Sequence, residues 1–243
     1  MNAPLTDAEA GAVTTDKVVE VALHSFATNG FDETRLEAIA QESGMSKRMI
    51  HYHFGDKKGL YLQTFYLAIA QLRPEPRALE LESTVPVDGV RKVVEVIYRQ
   101  FEQHPNAARL ILMENLYSYA EIDAIKALTE QSNVLLQMDK LLMLGQDAGA
   151  FRPGISALDV YLLIVSLCMF RISNRDTFLM LYKADLQNAE NTAGMLRLCT
   201  DATLSFLTSN MPNTGGMSYI HPHECSPGGC DNQPDVSGDI YGL

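Results

Sequence analysis

Lys47, Arg48, His51 and Tyr52 stand together in one short stretch of the chain. Their types suit a polyanion with readable edges. An Arg forks onto guanine, a Lys meets guanine or phosphate, and a Tyr hydroxyl bonds phosphate. From Met45 to Lys58 there are four basic residues (Lys47, Arg48, Lys57, Lys58) and one acid, Asp56, so the window is locally +3 in a chain of net charge −11. Phosphate binding is driven by such local positive charge, and the acidity elsewhere keeps the rest of the molecule off a duplex. Thr34, with Arg35 beside it, and Lys57 flank the stretch. There a hydroxyl and an ammonium would clamp phosphates, with Lys57 near a helix N-terminus whose amides favour an anion. The bland alternative is a solvated helix pair carrying ordinary surface charges.

Two further groups have the types for chemistry. Arg109, Glu114 and Tyr117 lie on a mostly apolar segment, and Arg171 and Asn174 follow the apolar run Tyr161–Phe170. A charge in such a setting must be paired or must bind something. An Arg pocket with aromatic walls suits a small organic acid or a planar polar molecule. The competing expectation is an ion pair of Arg109 or Arg171 with Glu114 or another carboxylate, which serves structure only. Near the C-terminus, His221, His223, Cys225 and Cys230 offer two imidazoles and two thiols. That set suits tetrahedral zinc, but the spacing is not that of a standard finger. No cofactor is expected. Cys168 and Cys199 sit in apolar helical contexts and read as reduced core residues. No nucleophile–base pair, Gly-rich phosphate loop or paired catalytic carboxylates stand out, so the chain does not read as an enzyme.

The elements that position these residues are helices. Apolar residues recur at helical spacing, and no sustained strict alternation appears, so the expected fold class is all-α. Residues 1–13 are expected to be a disordered tail. Residues 14–75 are expected to form a three-helix DNA-binding domain, 76–211 a second helical domain for ligand binding and dimerisation, and 212–243 a disordered Gly- and Pro-rich tail. In the first domain a helix starts near Thr15 and stops at Asn29-Gly30, short helices span about Arg35–Ser43 and Lys47–Tyr52, and a longer one spans Lys57–Leu72. Gly44 supplies the turn between the short helices, and Ser46 caps the second one. Two short helices joined by a tight Gly turn form a helix-turn-helix, whose second helix enters the major groove. In the second domain Ser156 caps a helix with Asp159 three residues on. The helix from Asp159 to Ser173, apolar nearly all round, and the last helix, from about Thr192 to Ser209, are expected to meet their copies in a homodimer. No apolar run is long enough for a membrane span and no leader pattern opens the chain, which points to the cytoplasm and to no membrane partner.

The stretch Phe26–Leu60 resembles the signature of the tetracycline-repressor (TetR) family. Its Ile39-Ala40-x-x-x-Gly44-x-Ser46 turn is followed by Tyr52-His53-Phe54-x-x-Lys57-x-x-Leu60. The resemblance implies an all-helical homodimer whose first three helices bind operator DNA and whose C-terminal helices hold an effector pocket. By motif position it implies DNA contacts at Thr34, Lys47, Tyr52, His53 and Lys57. Many members have Tyr where this chain has His51. The expected function is a ligand-responsive transcriptional regulator, a repressor that binds a palindromic operator and is released by a small organic effector. The alternative is a metal-responsive regulator using the His/Cys tail, and a helical enzyme ranks below both.

Overall fold

The computed structural model describes residues 7–79, 85–120, 133–210 and 218–220. The described residues form ten α-helices and one 3-10 turn, with no strand among them. They are α1 (Asp7–Glu33), α2 (Leu36–Ser43), α3 (Lys47–Phe54), α4 (Lys57–Leu72), a 3-10 turn (Pro76–Leu79), α5 (Pro86–Gln103), α6 (Pro105–Tyr117), α7 (Asn133–Asp147), α8 (Ala157–Ser173), α9 (Arg175–Tyr182) and α10 (Ala189–Thr208).

Punctuation and periodicity explain most of these bounds. Val18, Ala22 and Phe26 recur every four residues in α1 and are buried. Gly30, at φ 80° and ψ 171°, breaks the helical path of α1 where the sequence placed a stop, and a short separate turn continues to Glu33. Helix α1 also begins at Asp7, inside the stretch expected to be a disordered tail. Gly44 takes φ 83° after α2, and its N–H closes on Ala40 O at 3.0 Å. The Ser46 hydroxyl accepts from Met49 N at 3.3 Å and caps α3. Asp56 caps α4 by accepting from Gly59 N at 2.7 Å. Pro105 takes the first turn of α6, where its missing N–H costs nothing. One hydrophobic core runs from Val18 to Leu207 through both expected domains. The boundary expected near residue 75 falls between α4 and the 3-10 turn, yet α6 packs on both α1 and α4.

Two elements differ from the sequence reading. Residues 175–182 form α9, although none of its residues is buried. Residues Ser218–Ile220, in the expected C-terminal tail, dock on the start of α8. Asp159, itself buried, completes the capping box with Ser156 and also accepts from the amides of Tyr219 (3.0 Å) and Ile220 (3.1 Å), while the Ser218 hydroxyl lies 3.1 Å from its Oδ2. The tail residues His221, His223, Cys225 and Cys230 lie outside the described residues.

Burial pushes the Asp159 carboxyl up, but hydrogen bonds from Ser156, Ser218 and Ile220 outweigh it and hold it below the usual carboxylate range. A depressed folded pKa gives stability that is present above the unfolded value, about 3.9, and is lost as pH falls through the folded one. Asp159→Asn, which cannot titrate, is expected to be less stable than wild type at pH 7, with a gap of about 1–3 kcal/mol that narrows below about pH 4. Denaturant melts across that range check the trend, and a gap that widens on acidification contradicts it.

Candidate nucleic-acid interface and its link to the helical body

Helix α3 is held to the body by few residues. Ile50 is buried at 1% exposure, and Phe54 packs half-buried against the same core as Ile39 and Met45. At roughly 100° per residue, Arg48, His51 and Tyr52 fall on one arc away from Ile50. All three are exposed, Tyr52 at 79%. The His53 ring is exposed and meets Tyr52 edge-on, with centroids 5.2 Å apart. His51 Nδ1 lies 2.8 Å from Gly55 O. Lys47 reaches back across the turn to pair with Glu37 on α2, and both side chains are exposed. Arg35 is exposed at the start of α2. These residues form a continuous polar and cationic face.

Two of the residues expected on that face are used inside the fold. Thr34 is only 3% exposed, and its hydroxyl points at the carbonyls of Gly30 (2.6 Å) and Ser25 (3.2 Å). It ties the end of α1 to the start of α2, and its hydroxyl is engaged there. Lys57 Nζ donates to Asp32 O at 3.0 Å and sits 4.7 Å from the centre of the Phe31 ring. Its charge stays near the N-terminus of α4, but it is half-buried and already engaged.

Helix α4 connects this face to the rest of the molecule. A Cβ at Gly59 would collide with the Phe54 carbonyl, so only Gly lets α4 start so close to α3. Behind it lies an aromatic group. Tyr61 meets Phe26 and Phe31 edge-on, each at 5.1 Å, and Tyr119 stacks on Phe31 at 4.7 Å. The Tyr61 hydroxyl donates to Glu114 Oε2 at 2.9 Å, and Ala120 N donates to Glu114 Oε1 at 2.9 Å. Glu114 is 1% exposed. Burial first, and Glu114 second, push the Tyr61 phenol far above its ordinary pKa, which keeps it a donor.

The structure does not gather the five expected effector residues. Glu114 serves the Tyr61 link and pairs with neither Arg. Arg171 is buried, but it donates to Thr192 Oγ1 (2.8 Å) and Leu186 O (3.4 Å) and lies 5.1 Å from the centre of the Tyr98 ring. Its hydrogen bonds go to neutral groups, while the Asp185 carboxylate feels its charge without bonding it. Tyr117 is exposed and stacks on Tyr119 at 5.6 Å. Arg109 is half-buried on α6. Asn174 ends α8, with its amide 2.9 Å from Ser173 Oγ. A separate cavity of about 380 Å³ opens between α4, α5, α6 and α8, lined by Ile69, Leu72, Arg73, Phe101, Ile111, Asn115, Tyr161, Val165 and Met169. Sequence reasoning missed it as a cavity because its walls come from four helices far apart in the sequence. Among the described residues, no group of three or more His, Cys, Asp and Glu is placed to hold a metal ion. No single described helix is long and apolar enough to cross a membrane.

A short α2–turn–α3 pair on a third helix, with the exposed cationic face on α3, defines a helix-turn-helix protein. Comparison with known proteins is specific. Residues 18–64 match the family model described as bacterial regulatory proteins, tetR family. Residues 86–203 match the model described as tetracyclin repressor-like, C-terminal domain. The HTH-type transcriptional repressor NicS of Pseudomonas putida is 28% identical over 194 residues, covering 79% of this chain and 91% of that protein. The HTH-type transcriptional regulator RutR of Escherichia coli is 30% identical over 99 residues, 41% of this chain and 46% of that one. Among solved structures, the hemolysin II transcriptional regulator HlyIIR superposes with TM-score 0.54 at 21% identity, over 82% of this chain and 98% of its own. The TetR family regulator PfmR of Thermus thermophilus gives 0.54 at 21% identity, over 77% and 96%. The two family models together span more than half of the sequence, and the chain belongs to the TetR family.

Removing the Tyr61 hydroxyl leaves a buried carboxyl short of one donor. Tyr61→Phe is expected to lower stability by about 1–3 kcal/mol, read as a shift in the midpoint of urea unfolding. An unchanged midpoint means that the bond carries no load.

Proposed function

We propose that this protein is a ligand-responsive transcriptional repressor that binds a palindromic operator as a homodimer and leaves it when a small organic molecule enters the body. The observation that carries the reading is the exposed face of Arg48, His51 and Tyr52 on a helix anchored by Ile50, in a chain of this family. The relatives NicS, a repressor, and RutR, a regulator, support it. They lend no support to a metal-responsive alternative.

The partner copy is expected on α8, α9 and α10. Leu162 and Phe170 on α8, Leu179, Met180, Leu181 and Tyr182 on α9, and Leu198 on α10 are all exposed and apolar. A contiguous apolar face of this kind belongs against another surface. Two symmetric copies would set two α3 helices one or more turns of the duplex apart.

The effector is assigned to the 380 Å³ cavity. Its walls are mostly apolar, with Arg73, Asn115 and Tyr161 as polar groups, which suits a small organic molecule carrying one polar or acidic end. Ile69, Leu72 and Arg73 belong to the end of α4 or directly follow it, and Gly59 at its start abuts α3. A ligand that fits one tilt of α4 better than another shifts the population between DNA-competent and released states.

Binding to the DNA upstream of the protein's own gene tests the first half. Affinity is expected to fall steeply with salt, and Arg48→Ala is expected to weaken binding roughly 5- to 150-fold. Full affinity in Arg48→Ala would mean that α3 does not enter the groove. For the second half, a panel of small aromatic and aliphatic acids is screened for release of the wild-type complex. Val165→Trp, which fills the cavity, is expected to bind DNA as before and to ignore whichever compound releases the wild type. Release of that variant by the same compound places the effector elsewhere.

A further inference from the structure

His51 is the one imidazole on the exposed arc of α3 with Arg48 and Tyr52, and its ring is fixed. Its Nδ1 lies 2.8 Å from the carbonyl oxygen of Gly55, while the backbone carbonyl of His51 accepts the Gly55 N–H at 2.9 Å. Gly55 sits at φ 79° directly after α3, a conformation that L side chains rarely adopt, so this double contact depends on a glycine at that place. A carbonyl oxygen can only accept. Nδ1 therefore carries the proton, and in the neutral ring Nε2 is left with a bare lone pair. The side chain is exposed, so this lone pair is open to a partner.

An acceptor held in the major groove does not see all bases alike. Adenine offers its N6 amine and cytosine its N4 amine as donors, whereas guanine offers only acceptors there and thymine an acceptor and a methyl group. Arg48, three residues earlier on the same arc, is a pure donor and suits the acceptors of guanine. The two side chains thus present opposite polarity to neighbouring base pairs.

We propose that His51 is a base-reading, specificity-determining residue. In its Nδ1–H tautomer it accepts a hydrogen bond through Nε2 from the exocyclic amine of an adenine or cytosine, at one position in each operator half-site. The proposal rests on the DNA-binding reading above. It adds which base edge this chain selects and why.

The test selects the operator from a random-sequence DNA library with the full-length protein at pH 8, then repeats the selection with His51→Ala and His51→Arg. Wild type is expected to prefer one base pair at one position per half-site, read as A or C on the strand where the amine deletions below take effect. That preference should disappear in His51→Ala and turn to G in His51→Arg. A second arm works on the DNA alone. Each adenine of the selected half-site is replaced in turn by purine, and each cytosine by 2-pyrimidinone, which removes the amine together with one Watson–Crick hydrogen bond, so its cost is read against His51→Ala on the same duplex. One such replacement is expected to cost wild type about fivefold in affinity, the lower end of what a base contact discriminates, and to cost His51→Ala nothing. The proposal is overturned if the base preferences of His51→Ala match those of wild type, if no amine deletion weakens wild-type binding, or if every amine deletion that weakens it costs His51→Ala as much. Should Arg48→Ala also leave binding unchanged, the placement of α3 in the groove fails as well. Base preferences that survive in Arg48→Ala except at the Arg48 position leave that placement standing and isolate the failure to His51.

Discussion

A carboxyl group enclosed by apolar helices needs donors, and Glu114 finds two. It is 1% exposed and takes one hydrogen bond from Tyr61 on α4 and one from the amide of Ala120. The second donor is available only because the chain turns back after α6 through Ser118, a non-glycine residue at φ 54°. Such a conformation costs of order 1–3 kcal/mol and persists where surrounding structure demands it. The demand here is the unsatisfied oxygen of Glu114. Once both bonds form, the register of α4 against α6 is set, and Tyr119 falls onto Phe31 to close the aromatic group. Everything that α4 carries at its two ends, α3 at one and the cavity wall at the other, inherits its position from this one buried group.

The charge distribution follows a similar economy. A chain of net charge −11 offers a polyanion only a small cationic face, and the fold narrows it further. Thr34 is spent on holding α1 to α2, and Lys57 on the carbonyl of Asp32 and the ring of Phe31. Lys47 is paired with Glu37, which holds the Glu37 carboxyl below its ordinary pKa through the hydrogen bond first and the charge second. That pair is exposed on both sides, and exposed pairs contribute little. Lys47 can therefore exchange a carboxylate for a phosphate at small cost, whereas moving Thr34 or Lys57 disturbs the packing between α1 and α4.

Local rules read well in this sequence, and non-local ones poorly. Gly44, Ser46, Pro105 and the Ser156–Asp159 box act within a few residues, so their helix ends were legible. The inward faces of α1, α4 and α5 were legible from periodicity. Gly30 was legible as a break, since its φ 80° and ψ 171° leave the helical path there. Helix α9 was missed because it buries nothing in its own chain, so no stripe marks it. The exposed face of α3 was legible in type, since Arg48, His51 and Tyr52 had to lie away from Ile50. The burial of Thr34 was not, because it depends on where the kink at Gly30 sends the chain. Glu114 and Arg171 were singled out as buried charges. Their partners, a phenol and a threonine hydroxyl from helices distant in sequence, follow only from the packing.

Arg171 shows what such a group does for the surface beyond it. Its guanidinium bonds Thr192 at the start of α10 and the Leu186 carbonyl in the preceding loop, over the face of Tyr98. Tyr98 in turn donates to Thr192 O at 2.9 Å. Arg175 grips Asp185 through two nitrogens, each at 3.0 Å, and closes the segment between α9 and α10. These contacts join α5, α8 and α10 at one place and need no packing from the outer faces of α8, α9 and α10. Those faces are thereby free to stay apolar and exposed while remaining rigid. In the proposed dimer, which presents two recognition helices at a fixed separation, rigidity at the contact between copies matters as much as its area. A buried guanidinium whose hydrogen bonds go to neutral groups supplies it without putting a polar group on that proposed contact.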